Sequence, residues 1–275
     1  MKKHRLIARA ALAALTLLTV SACNQKAKTE KPSDKPPATV APLAFANKNA
    51  DAEVTLTLPE PIKLFPDLHT RLYTEGEKDL KAFMADAHKA RTDQATDGID
   101  VPAYYKSVNW RIAAQSPRLL SLFAELEVYE GGAHPNSVFD VRLWDKSKKE
   151  LINTAKLFAT GADMKALDAY VCHQVEVERS KRLHEPTTQA ASGFACPKFA
   201  DSRLILIPST VTGKIGAIDA LYAPYEVGPY AEGSYEIRVP QSQLQGLVNP
   251  DFADQFAGEA IKDNALPDPV DAPTH

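Results

Sequence analysis

Several familiar signatures are missing from this 275-residue chain, and each absence removes a class of function. It holds three cysteines, Cys23, Cys172 and Cys196, with no Cys-x-x-Cys pair, so no zinc knuckle or dithiol redox motif is written in it. Neither a His-Glu-x-x-His helix nor a Gly-x-Ser-x-Gly elbow occurs, which excludes the common metalloprotease and serine-hydrolase signatures. Gly213-Lys214 is preceded by Pro208 where a phosphate-binding loop needs its first glycine, and no Ser or Thr follows the lysine. There is no basic excess either. The 32 Lys and Arg against 35 Asp and Glu give a net charge of −3, and nucleic-acid phosphates select the opposite balance. No internal repeat is visible.

What is present begins with an address. Lys2, Lys3, Arg5 and Arg9 precede the apolar run Ala10–Val20, and "VSAC" then leads to Cys23. That order is the pattern of a secretory signal, and the run is too short to span a bilayer. Ending on a cysteine, it resembles the lipobox of bacterial lipoproteins, which implies lipid attachment (palmitate among the acyl chains) at Cys23. Asn24 after the cysteine implies an outer-membrane, periplasm-facing destination. Without the leader's four basic residues the net charge moves from −3 to −7, a balance that suits a cationic partner. Residues 24–50 are expected to form a flexible tether, since "NQKAKTEKPSDKPPATVAP" offers almost nothing to bury. The tail 263–275, "DNALPDPVDAPTH", reads as disordered. In an oxidising compartment Cys172 and Cys196 are expected to form a disulfide.

Between tether and tail, hydrophobic periodicity outlines the fold. "EVTLTL" alternates as a strand, and Leu68, Leu72, Leu80, Phe83, Met84 and Ala87 follow helical spacing over Asp67–Lys89, with Gly76 as a possible break. Two antiparallel strands follow, joined near Ser116-Pro117, and "SVFDVRLWD" alternates again. Met164, Leu167, Val171 and Val175 mark a second helix. "RLILIPS", "KIGAIDALY" and "GSYEIRVP" read as three further strands. Adjacent hairpins dominate, so the chain is expected to be α+β, with a largely antiparallel sheet and helices packed on one face.

The stretch "VYEGGAHPNSVFDVRLW" is the main candidate for chemistry. Gly131 and Gly132 are expected at positive φ in a hairpin connection. His134 could serve as acid or base beside Glu130 and Asp140, or bind metal with the same two residues. Pro135 directly after it favours a third use, a rigid turn that displays a surface. A second candidate surface gathers Tyr222, Tyr225, Tyr230 and Tyr235 with Glu226 and Glu232. Tyrosines combine an apolar ring with a polar tip suited to sugars or protein partners; the alternative is that they brace the loop against the sheet.

Taken together, "YEGGAHPNSVFDVRLWDKSKKELINTAKLF" and "YAPYEVGPYAEGSYEIRVPQSQL" are similar to the two signatures of the RsiV-like extracellular domain family. That domain occurs in an anti-sigma factor that senses lysozyme, and a related pair of domains precedes the catalytic domain of the peptidoglycan deacetylase PdaC. The resemblance implies two small fused subdomains, PdaC-like over 51–130 and RsiV-like over 131–262. The sigma-binding and deacetylase segments of those proteins have no counterpart in the stretch given. The expected activity is therefore non-catalytic recognition of a lysozyme-like protein or peptidoglycan through Gly131, Gly132, His134, Tyr225, Tyr230 and Glu232. No catalytic residue, metal or cofactor is expected. The alternative is a cell-wall glycan hydrolase or deacetylase centred on His134.

Overall fold

The computed structural model describes residues 40–98 and 100–262. The leader with Cys23, most of the tether and the tail from residue 263 lie outside the described residues. The chain divides into two units, Met1–Thr39 and Val40–His275, and every described element belongs to the second.

A hairpin of β1 (Ala44–Lys48) and β2 (Ala52–Thr57) comes first, followed by the long helix α1 (Pro66–Thr96). Then β3 (Tyr104–Gln115), β4 (Leu119–Tyr129), β5 (Asn136–Asp145) and β6 (Glu150–Ile152) complete a six-stranded sheet in sequential order. Only β2 and β3 run parallel. Parallel neighbours cannot be joined by a tight turn, and α1 supplies the crossover. The tether expected to reach residue 50 therefore ends earlier, at β1. That strand pairs on one side only and is mostly exposed, so it needs little apolar content to form.

α1 starts at Pro66, whose missing N–H costs nothing in a first turn. It passes unbroken through Gly76. A side chain there would put its Cβ 2.9 Å from Leu56 Cδ2, so the glycine lets the helix lie close on β2. Leu68, Leu72, Leu80, Phe83, Met84 and Ala87 meet Val54, Leu56, Val108, Trp110, Leu120 and Leu122 in one core.

The second half runs through α2 (Lys165–Leu183), the single turn α3 (Gln189–Ser192) and a three-stranded sheet. The sheet comprises β7 (Arg203–Pro208), β8 (Ile215–Tyr222) and β9 (Tyr235–Pro240); the turn α4 (Pro250–Ala253) follows it. One face of this sheet, through Ile205, Ile207, Ala217 and Leu221, packs on Phe123 and Phe139 of the larger sheet. Its other face, through Leu204, Leu206, Ile218 and Ile237, packs on Leu167, Val171 and Val175 of α2. Each sheet thus carries a helix on one face, and the two sheets meet through the others. Leu119–Ala124 of β4 is buried throughout for that reason. Ser121 within this run satisfies a polar need, since its hydroxyl accepts the Leu206 N–H at 3.0 Å.

Cys172 of α2 and Cys196 are joined in a disulfide, with Cα atoms 5.1 Å apart across a separation of 24. In the chain-entropy model a loop of that size stabilises the fold by about 3 kcal/mol. No helix among the described residues is long and apolar enough to cross a membrane.

Candidate functional site

The site grows from the connection between β4 and β5. Gly131 (φ 85°) and Gly132 (φ 111°) both lie where side chains are disfavoured, and together they turn the chain towards His134. A boundary between subdomains at 130/131 falls inside this hairpin of one continuous sheet.

From the other sheet, the β8–β9 connection brings Tyr225 and Tyr230 onto the same spot. The His134 and Tyr230 rings stack with centroids 3.8 Å apart and planes 21° apart, and Tyr225 lies 5.6 Å from Tyr230. The Pro135 carbonyl accepts the Tyr230 hydroxyl at 2.8 Å and sits 2.9 Å from His134 Nδ1. With the proton on Nδ1, Nε2 remains to accept from the Tyr225 hydroxyl at 3.4 Å, a long contact. Among the described residues neither ring nitrogen meets a carboxylate.

The acid–base arrangement therefore does not assemble. Asp140 lies opposite Ala124 on the α1 side of the sheet and pairs with Arg142, and Glu130 is exposed. Among the described residues no group of three His, Cys, Asp or Glu side chains comes together as metal ligands.

Tyr225 is 55% exposed and holds φ 73°, an unfavourable backbone for a bulky residue. Two turn hydrogen bonds keep it there: its N–H reaches the Gly228 carbonyl at 3.0 Å, and the Glu226 N–H reaches that of Ala223 at 3.1 Å. Glu226 is tied to Arg203.

Beside this ledge, among the described residues, the six-stranded sheet presents a half-buried polar strip. Alternation places Tyr105, Ser107, Glu127 and Tyr129 on the face that meets the small sheet elsewhere, and all four are half-buried. Sequence reasoning missed Tyr105. Its ring stacks on Tyr129 with centroids 5.8 Å apart, and its hydroxyl donates to Glu127 at 2.8 Å. Burial and the Glu127 carboxylate push its phenol up to about 12, and Tyr230 is close enough to add to the shift. The only signal available was the odd-numbered alternation of β3.

Three expected surface residues take other places. The Glu232 side chain is only 8% exposed: its carboxylate holds Arg179 at 2.6 Å and accepts the Tyr235 hydroxyl. It braces the loop from inside instead of facing a ligand, because α2 supplies a guanidinium that local sequence could not reveal. Tyr222 and Tyr235 face each other across β8 and β9 and are 4% and 1% exposed. Burial is the main cause pushing both phenols up to about 12.

Residues 44–137, from β1 to the start of β5, match the family model described as Deacetylase PdaC. No curated protein matches the chain. Among solved structures, a DUF3298 family protein from Pseudomonas aeruginosa PAO1 is similar at 16% identity, covering 78% of this chain and 94% of its own, with a TM-score of 0.49. A DUF3298 family member from Bacteroides fragilis NCTC 9343 is similar at 14% identity, covering 76% and 93%, with a TM-score of 0.51. At such identity the second likeness speaks for the fold alone.

Proposed function

We propose that this protein is a non-catalytic binding module of the cell envelope, and that its aromatic ledge takes peptidoglycan glycan. One observation carries the reading: the stacked His134–Tyr230 pair and the exposed Tyr225 form a ring surface at the rim of an open, polar sheet face. Rings stack on the apolar faces of sugars, while Ser107, Glu127 and the tyrosine hydroxyls can exchange hydrogen bonds with sugar hydroxyl and amide groups. Lipid attachment at Cys23 and the polar stretch behind it would hold the module off an outer membrane, facing the periplasm.

The test is titration of soluble peptidoglycan fragments in low salt, with lysozyme as a second arm. Saturable glycan binding that is lost in Tyr230→Ala supports the reading. Binding of lysozyme but not glycan would replace the ligand with a cationic protein, and binding of neither at micromolar concentration overturns the proposal. The competing reading follows the deacetylase description of the matching family model and makes His134 the centre of a glycan deacetylase or hydrolase. Against it stands the absence of any carboxylate among the hydrogen-bond partners of the imidazole. Wall turnover by the purified protein that disappears in His134→Ala would favour that reading instead.

A further inference from the structure

The disulfide and the ledge are linked by a buried polar chain. Gln189 lies inside the segment closed by Cys172 and Cys196 and is 1% exposed. Its Nε2 donates to the Val227 carbonyl at 3.0 Å, and its Oε1 accepts from Arg179 at 3.2 Å. The other end of the Arg179 guanidinium holds Glu232 at 2.6 Å. Arg182, one turn on, donates to the Glu232 and Ser234 carbonyls at 2.7 and 2.8 Å. Val227 and Glu232 are each two positions from a ledge tyrosine. The fit leaves no slack, since a Cβ on Gly228 would lie 2.4 Å from Glu232 Oε2.

We propose that the Cys172–Cys196 disulfide is a redox lock on the ledge. While closed, it keeps Gln189 seated between α2 and the Tyr225–Tyr230 segment; once it is reduced, Gln189 leaves and the segment loosens. The lock stands on this chain of contacts, and only its consequence for ligand rests on the glycan reading. Cys196 is exposed whereas Cys172 is 8% exposed, so the accessible sulfur is that of Cys196. A thiolate of an external dithiol attacks Cys196 Sγ, the S–S bond breaks, and Cys172 leaves as a thiolate that takes up a proton. The second thiol of the reductant then attacks the mixed disulfide and releases Cys196 as a thiol. The dithiol is oxidised to a disulfide, and the protein gains two electrons and two protons.

The experiment compares the full chain oxidised with the same chain reduced by dithiothreitol and alkylated, using amide hydrogen exchange by mass spectrometry. Exchange over Tyr225–Gly233 should rise by at least about tenfold on reduction, while β3–β5 amides keep their protection. Affinity for peptidoglycan fragments should fall in step. Unchanged ledge exchange overturns the lock, and so does a rise spread evenly over a chain that stays folded. Loosening of the ledge with no glycan binding in either state leaves the lock standing and removes the glycan reading. Should reduction unfold the chain, Gln189→Ala with the disulfide intact carries the test: it should loosen the same amides, and unchanged protection overturns the proposal.

Discussion

On the α1 side of the six-stranded sheet, Val54, Leu56, Val108, Trp110, Leu120 and Leu122 are all buried. On the opposite side, Phe123 and Phe139 are sealed by the small sheet, whereas Tyr105, Ser107, Glu127 and Tyr129 are only half-buried. The α1 face is core except towards the β5 end, where Val138, Asp140 and Arg142 reach solvent; the other is core where the small sheet covers it and carries a polar, ring-bearing strip beyond it. Where the small sheet covers its face the side chains include Phe123 and Phe139, and beyond it Tyr105, Ser107, Glu127 and Tyr129 carry hydroxyls and a carboxylate. At the border between the two, the small sheet's loop supplies Tyr225 and Tyr230.

Substitutions can break that comparison. The largest effect is expected from Arg179→Ala, which strands Glu232 beneath the ledge; losing one partner of a buried pair costs about 3–5 kcal/mol. Denaturant unfolding reads this directly, and a loss below about 1 kcal/mol would mean that the pair is well hydrated. Phe123→Ala and Leu122→Ala are neighbours pointing to opposite faces, 1% and 0% exposed. They should cost about 3–5 and 2–5 kcal/mol respectively. A much smaller loss for Phe123 would show that the small sheet repacks easily and that its side is not a true core.

Next comes a binding effect. Tyr230→Ala should weaken glycan affinity by about 2 kcal/mol, roughly thirtyfold, with tryptophan fluorescence unchanged; equal affinity would move the site off the ledge. Smaller again is a pH effect on the sheet facing the border. Burial, together with a hydrogen bond shared with Asp219, pushes the Glu236 carboxyl up from 4.5 to about 8. The folded protein then holds a proton that the unfolded chain has lost, so this group's contribution to stability falls as pH rises from about 4.5 to about 8. Glu236→Gln should flatten that decline in melting temperature, and an identical profile in both proteins would remove Glu236 as its source. The smallest change in stability belongs to Tyr225→Gly. Release from positive φ leaves stability within about 1 kcal/mol of the parent or above it, while affinity falls.

Much of this fold was legible because its causes are local. Alternation in β3, β4 and β5 marked the strands, and in "SVFDVRLWD" it corresponds to Phe139, Val141 and Leu143 on one face and Val138, Asp140 and Arg142 on the other. β1 escaped notice because five residues, mostly exposed, are too few for an alternation to announce it. Gly76 looked like a break, yet it is an approach point, a distinction that depends on Leu56 twenty residues earlier.

By itself, the sequence determined the periodic elements, the positive-φ turn at Gly131 and Gly132 and the pairing-competent cysteines, since each follows from backbone preference or side-chain chemistry within a few residues. Only the tertiary structure decided that His134 stacks on Tyr230, that Pro135 accepts a hydroxyl from 95 positions away, and that Glu232 turns inward to Arg179. The physical reason is that a side chain's burial and partners depend on which distant strand or helix packs against it, and tyrosine or glutamate reads the same in either setting.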